Sequence, residues 1–102
     1  MAEYMYQIIM ETPLGERRGT MAVHTAGDRM EGSMELFGHS EPFSGVIDAE
    51  GNCCMKGYFQ TLMNRVPFMA QGIVRAEQLH LLIHRKQDVL EIFGVGCPDG
   101  KE

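Results

Sequence analysis

Apolar and polar residues alternate along most of this chain. The segment RMEGSMELFG is the clearest case: Met30, Gly32, Met34 and Leu36 take one face, and Glu31, Ser33 and Glu35 the other. A period of two belongs to a half-buried β-strand, whose successive side chains point to opposite sides. Read the same way, the chain yields eight strands at about 3–11, 17–25, 29–37, 41–48, 53–61, 65–74, 78–85 and 88–96. The connections TPLGE, AGD, GHS, AEGN, LMN, RAEQ and KQ are all short. Short loops join antiparallel neighbours, and Gly27-Asp28 suits a tight hairpin because glycine accepts positive φ. No segment sustains a helical period. The expected fold is an all-β, up-and-down antiparallel meander in one domain spanning 1–102.

The pattern is written twice. Shifting the chain by 49 positions places Thr12 on Thr61, Met30 on Leu79, Met34 on Ile83, Phe43 on Ile92, Gly45 on Gly94 and Val46 on Val95. Turns fall on turns, so two four-stranded repeats are expected at about 3–48 and 53–96. A four-stranded sheet with one apolar face cannot hide that face or its two edges alone. Two such sheets can close on each other, and eight strands suffice for a small barrel. Gly19, Gly32, Gly45, Gly57, Gly72 and Gly94 fall inside strands, where glycine weakens pairing. Sharp coiling of a small barrel or room for a ligand would account for them.

Parity selects the inward set. It comprises Tyr4, Tyr6, Ile8, Met10, Met21, Val23, Met30, Met34, Leu36, Phe43, Ile47, Met55, Phe59, Val66, Phe68, Ala70, Val74, Leu79, Leu81, Ile83, Leu90 and Ile92. Glu31, Glu35, Lys56, Gln60, Arg65, Gln71, His80 and His84 fall on the other face. So do Met5, Ile9, Met69, Ile73, Leu82, Phe93 and Val95, enough for an apolar outer patch that calls for a partner surface.

Composition narrows the function classes. The chain has 102 residues, 44% hydrophobic and 23% charged, which is a globular composition. Its formal net charge is −5 and its nine basic residues are scattered, which argues against nucleic acid. No apolar run is long enough for a membrane span, and the N-terminal segment lacks the basic start of a signal peptide, so a cytoplasmic location is expected. Three cysteines, Cys53, Cys54 and Cys97, make an odd count that speaks against a disulfide framework. The adjacent pair points to opposite faces of a strand and cannot easily share a metal.

Nine methionines are the oddest feature. Met10, Met21, Met30, Met34 and Met55 share the inward face, where unbranched, polarizable side chains make either an ordinary core or a pliable pocket. The candidate pocket lining is Tyr6, Met10, Met21, Met30, Met34, Phe43, Met55, Phe59, Phe68 and Ile83. His80 and His84 share a strand face but sit about 13 Å apart, too far for one ion. His24 reads as outer surface and His39 as a turn residue. Glu91 interrupts the apolar strand VLEIFGVG, either as an edge charge against aggregation or as a buried general acid. With Tyr6 it is the candidate ionisable group for a cofactor-free enzyme. No nucleophile elbow, phosphate loop or dinucleotide fingerprint is present, and no cofactor or metal is expected.

The segments ETPLGERRGTMAV, GDRMEGSMELFGHSEPFSGVI and QTLMNRVPFMAQGIV resemble the repeated Thr-Pro-apolar-Gly hairpins of small bacterial β-meander modules. The whole is similar to calycin-type barrels such as lipocalins, fatty-acid-binding proteins and streptavidin. That resemblance implies barrel closure and an internal pocket, and it assigns no site residues. The leading expectation is non-catalytic binding of a small apolar or aromatic compound inside the barrel. The alternative is a partner-binding or homodimeric module with a filled core, and the third is a barrel enzyme.

Overall fold

The computed structural model describes residues 2–36, 38–60, 63, 65–86 and 88–97. Its eight strands are β1 (Ala2–Thr12), β2 (Gly15–Ala26), β3 (Arg29–Leu36), β4 (His39–Ile47), β5 (Asn52–Gln60), β6 (Arg65–Val74), β7 (Gln78–His84) and β8 (Val89–Gly96). Each pairs antiparallel with the next, and β8 returns to pair with β1, closing a barrel. Among the described residues there is no helix, hence none long and apolar enough to cross a membrane.

Hairpin chemistry sets the strand ends. Thr12 pairs with Gly15, so the first loop is only Pro13-Leu14. The Thr12 hydroxyl donates to the Gly15 carbonyl at 2.6 Å and accepts from the Leu14 amide at 3.2 Å. These bonds carry β2 back to Gly15, two residues before the expected start. Ala26 pairs with Arg29 across a two-residue loop in which Gly27 has φ 65°, the left-handed geometry that such tight hairpins require. His39 opens β4 opposite Leu36 and is therefore a strand residue, not a turn residue. The expected strand ends at Phe37 and Thr61, and the turn positions Leu62, Asn64 and Gln87, lie outside the described residues.

Some ladder pairs lie 49 positions from one another. Tyr4 faces Val23 as Cys53 faces Gly72; Val23 faces Gly32 as Gly72 faces Leu81; Met30 faces Gly45 as Leu79 faces Gly94. The two junctions between the halves differ by two residues: Gly45 faces Met55, whereas Gly94 faces Ile8.

The inward parity set forms one apolar cluster from Tyr6 to Ile92. Tyr4, Ile47 and Val66 are only partly buried, while Cys53 joins the core at 8% exposure. The barrel is flattened, with extents of 36 × 26 × 18 Å. The radius of gyration, 12.8 Å, is that of an ordinary compact domain of this length.

Candidate functional site

Two surfaces could carry function: the inside of the barrel and its outer wall. All ten residues of the candidate pocket lining are buried, none more than 6% exposed. The five inward methionines are each 1–2% exposed. Phe59 and Phe68 stack with centroids 4.5 Å apart.

The in-strand glycines make room for these side chains. A Cβ on Gly32 would lie 2.9 Å from Phe43 Cζ, and one on Gly57 would lie 3.0 Å from Phe68 Cζ. A Cβ on Gly94 would come within 2.7 Å of Leu79 Cγ and 3.0 Å of Ile8 Cγ2. At Gly94 the missing side chain is replaced by those of Leu79 and Ile8, whereas at Gly32 and Gly57 a backbone carbonyl, of Ala22 and of Pro42, lies closer still than the neighbouring ring. Around these glycines the interior is occupied by the protein itself.

Chemistry inside is sparse. No polar or charged residue is buried among those described, and no buried side-chain polar atom lacks a partner. Tyr6 is the nearest to an exception: its hydroxyl donates to the Arg75 carbonyl at 2.5 Å, tying β1 to the end of β6. Burial, with smaller contributions from Tyr4, Glu77 and Cys53, raises this phenol well above its ordinary range. Burial also pushes the Cys53 thiol up to about 11, with Cys54 and Asp48 adding to it. Both groups stay protonated and neutral at physiological pH, a state poorly suited to base or nucleophile chemistry.

Glu91 corrects the expectation of a buried acid. It lies on the outer wall with a side chain 42% exposed, and its Oε2 is 2.5 Å from His80 Nε2. The edge-charge reading also lapses, because a closed barrel gives β8 a partner on each side. His24 Nδ1 lies 3.3 Å from Glu3 Oε2, also outside. Cys53 is buried and Cys54 exposed, on opposite sides of β5. Among the described residues no three His, Cys, Asp or Glu side chains converge as metal ligands would.

The outer wall carries the apolar surplus. Ladder pairs run Ile73–His80–Phe93–Ile9 across β6, β7, β8 and β1. Phe93 is 44% exposed, and the imidazole of His80 stacks on it, bridging the apolar row. Leu82 and Val95 flank the row, and Met5 lies beyond Val95 on β1. Met69 does not join it: its ladder neighbours are Lys56 and His84, and Gln71 separates it from Ile73 along β6. The joining role of His80 is invisible in a one-strand pattern, since it depends on which residues the ladders place side by side.

Fold and surfaces define a closed eight-stranded antiparallel barrel with an apolar core and a partly apolar outer wall. No protein-family model, curated protein or solved structure matches the chain.

Proposed function

We propose that this barrel is a non-catalytic interaction module that pairs with a second copy of itself through the β6–β7–β8–β1 wall. The observation that carries the reading is the row Ile73–Phe93–Ile9, joined through His80, in which Ile73 and Phe93 are exposed and Ile9 is half-buried. A closed barrel has no free strand edge, so a partner docks on a face and not by strand addition. A two-fold axis near Phe93 sets the row against its own copy, apolar against apolar, as an isologous contact requires.

Sedimentation equilibrium on the full chain tests this. The wild type is expected to dimerise, and Phe93→Glu to be monomeric with an unchanged far-UV spectrum. A wild type that stays monomeric up to about 100 µM, far above the Kd of a stable standard-size interface, overturns the proposal.

The five buried methionines support a second reading, in which the core opens to admit an apolar or aromatic compound. Native mass spectrometry of protein purified gently from its own cells separates the two. A discrete small added mass supports the interior ligand, and a bare dimer supports the module.

A further inference from the structure

Two adjoining clefts lie over β3–β6, reaching His24 on β2 and His84 on β7, on the outside of the barrel. One, of about 690 Å³, is lined by Lys56, Tyr58, Arg65 and His84 among others. The second, of about 480 Å³, adds His24 and Arg29. Glu31, Ser44, Lys56 and Met69 belong to both, so the clefts form one trough.

Charge sets this trough apart. The chain has nine Lys and Arg against fourteen Asp and Glu. The trough reverses that balance, with Arg29, Lys56 and Arg65 against Glu31 alone. Among the described residues none of those three cations has an ion-pair partner. Cations held in a concave surface focus their field on whatever enters it.

Shape and apolar surface define the rest of the ligand. The Arg65 guanidinium sits 4.7 Å from the centroid of the Tyr58 ring, which holds it beside that ring as a cation on a π-face. Tyr58 remains 46% exposed, and Met69 57%. Tyr58 pairs with Pro67 across the β5–β6 ladder, and Pro42 lines the same cleft. Tyr58 and Pro67 stand between Lys56 and Arg65 along the β5–β6 ladder, so a planar apolar body laid against Tyr58, Pro67 and Met69 has a cation toward each end. The volume is that of a small-molecule site.

We propose that this trough binds a small organic anion, a carboxylate or phosphate carried on a planar apolar body. Lys56 and Arg65 flank the site and attract the anion, and Tyr58 holds the ring. The proposal does not rest on self-association: β6 contributes to both surfaces, but through Arg65, Pro67 and Met69 here and through Ile73 there.

Amide NMR titrations of the isotope-labelled full chain test it, with naphthyl phosphate and naphthoate as probes and naphthalene methanol as the neutral control. Saturable shifts centred on Lys56, Tyr58 and Arg65 are expected for both anions, with the tighter one naming the anionic group. The double variant Lys56→Gln, Arg65→Gln is expected to weaken both anions by at least about tenfold, the scale of one or two lost charge-assisted bonds. Its unperturbed amide shifts elsewhere show that the barrel is intact. Equal binding of the neutral alcohol overturns the proposal. So do shifts confined to the Phe93 wall, or no saturation with either anion.

Discussion

The imidazole of His80 lies flat on the ring of Phe93, with centroids 4.8 Å apart and planes within 9°. The two residues are ladder partners on β7 and β8, and Glu91, two residues before Phe93, takes the other edge of His80. The trio is fixed by strand register, yet both partners of the ion pair are close to half exposed. Solvent screens such a pair, and exposed pairs contribute less than about 1 kcal/mol. A His80→Ala, Glu91→Gln double-mutant cycle followed by urea unfolding is therefore expected to give a coupling below about 1 kcal/mol. A coupling of several kcal/mol would mean that the trio is a structural lock and not a surface feature.

Much of this architecture is legible in the sequence because parity is a strong signal where one face is apolar. Met30, Met34 and Leu36 alternate with Glu31, Ser33 and Glu35, and only one register buries the first set. Closure is legible less directly, from strand number and the need to hide two apolar sheets. Strand ends shift where hydroxyl and glycine chemistry tightens a turn, as at Thr12 and Gly15. The role of the in-strand glycines is not readable in one dimension. Gly32 and Gly57 fit both a pocket and a filled core, and only the positions of Phe43 and Phe68 distinguish them. The trough over β3–β6 escapes for a similar reason. Arg29, Lys56 and Arg65 are scattered in sequence and come to line one face only after three ladders are in register.

Filled glycine positions make a packing prediction. A methyl at Gly94 meets Leu79 Cγ at 2.7 Å and Ile8 Cγ2 at 3.0 Å, side-chain atoms that must move. Overpacking of this kind costs about 1–3 kcal/mol, so Gly94→Ala is expected to lower stability by that amount. Adding Leu79→Ala opens space beside the new methyl, so the double variant is expected to be more stable than the sum of the two single costs implies. Strict additivity would mean that the interior has slack around Gly94. Gly32→Ala is expected to be worse, because its methyl is driven into the Ala22 carbonyl, which is backbone and cannot step aside.

Tyr6 and Cys53 set an alkaline limit. Burial raises both groups, so the folded protein holds their protons longer than the unfolded chain does. Below the ordinary thiol pKa, about 8.5, both states are protonated and the contribution of Cys53 is fully present. As pH rises past that value the unfolded chain ionises first, and stability falls until the folded thiol titrates at about 11. Tyr6 follows from about pH 10, the ordinary phenol value, upward. Urea unfolding against pH is expected to show a decline beginning near pH 8.5 that Cys53→Ala delays to about pH 10. An unchanged onset would place the Cys53 thiol in contact with solvent. Tyr6→Phe is expected to cost about 1 kcal/mol at neutral pH through the lost bond to Arg75, and to flatten the upper limb.

The β4–β5 turn supplies the acid counterpart. Asp48 Oδ1 accepts from the Glu50 and Asn52 amides, both at 2.9 Å, and Oδ2 accepts from the Asn52 side-chain amide at 3.1 Å. The Asn52 side-chain bond, reinforced by the backbone amides, holds the Asp48 carboxyl below its ordinary value. The unfolded chain therefore takes up this proton first as pH falls. The contribution of Asp48 is present above about pH 4, the ordinary aspartate value, and is lost as pH drops through the depressed folded value. Thermal melts of wild type and Asp48→Ala are expected to differ most at neutral pH and to converge below about pH 4. The Arg85–Asp88 bridge also depresses a carboxyl but is common to both proteins, so the gap between them reports Asp48 alone. A gap that stays constant from neutral to acid pH would mean that the turn is held by its backbone bonds, with Gly51 donating to the Asp48 carbonyl, and not by the carboxylate.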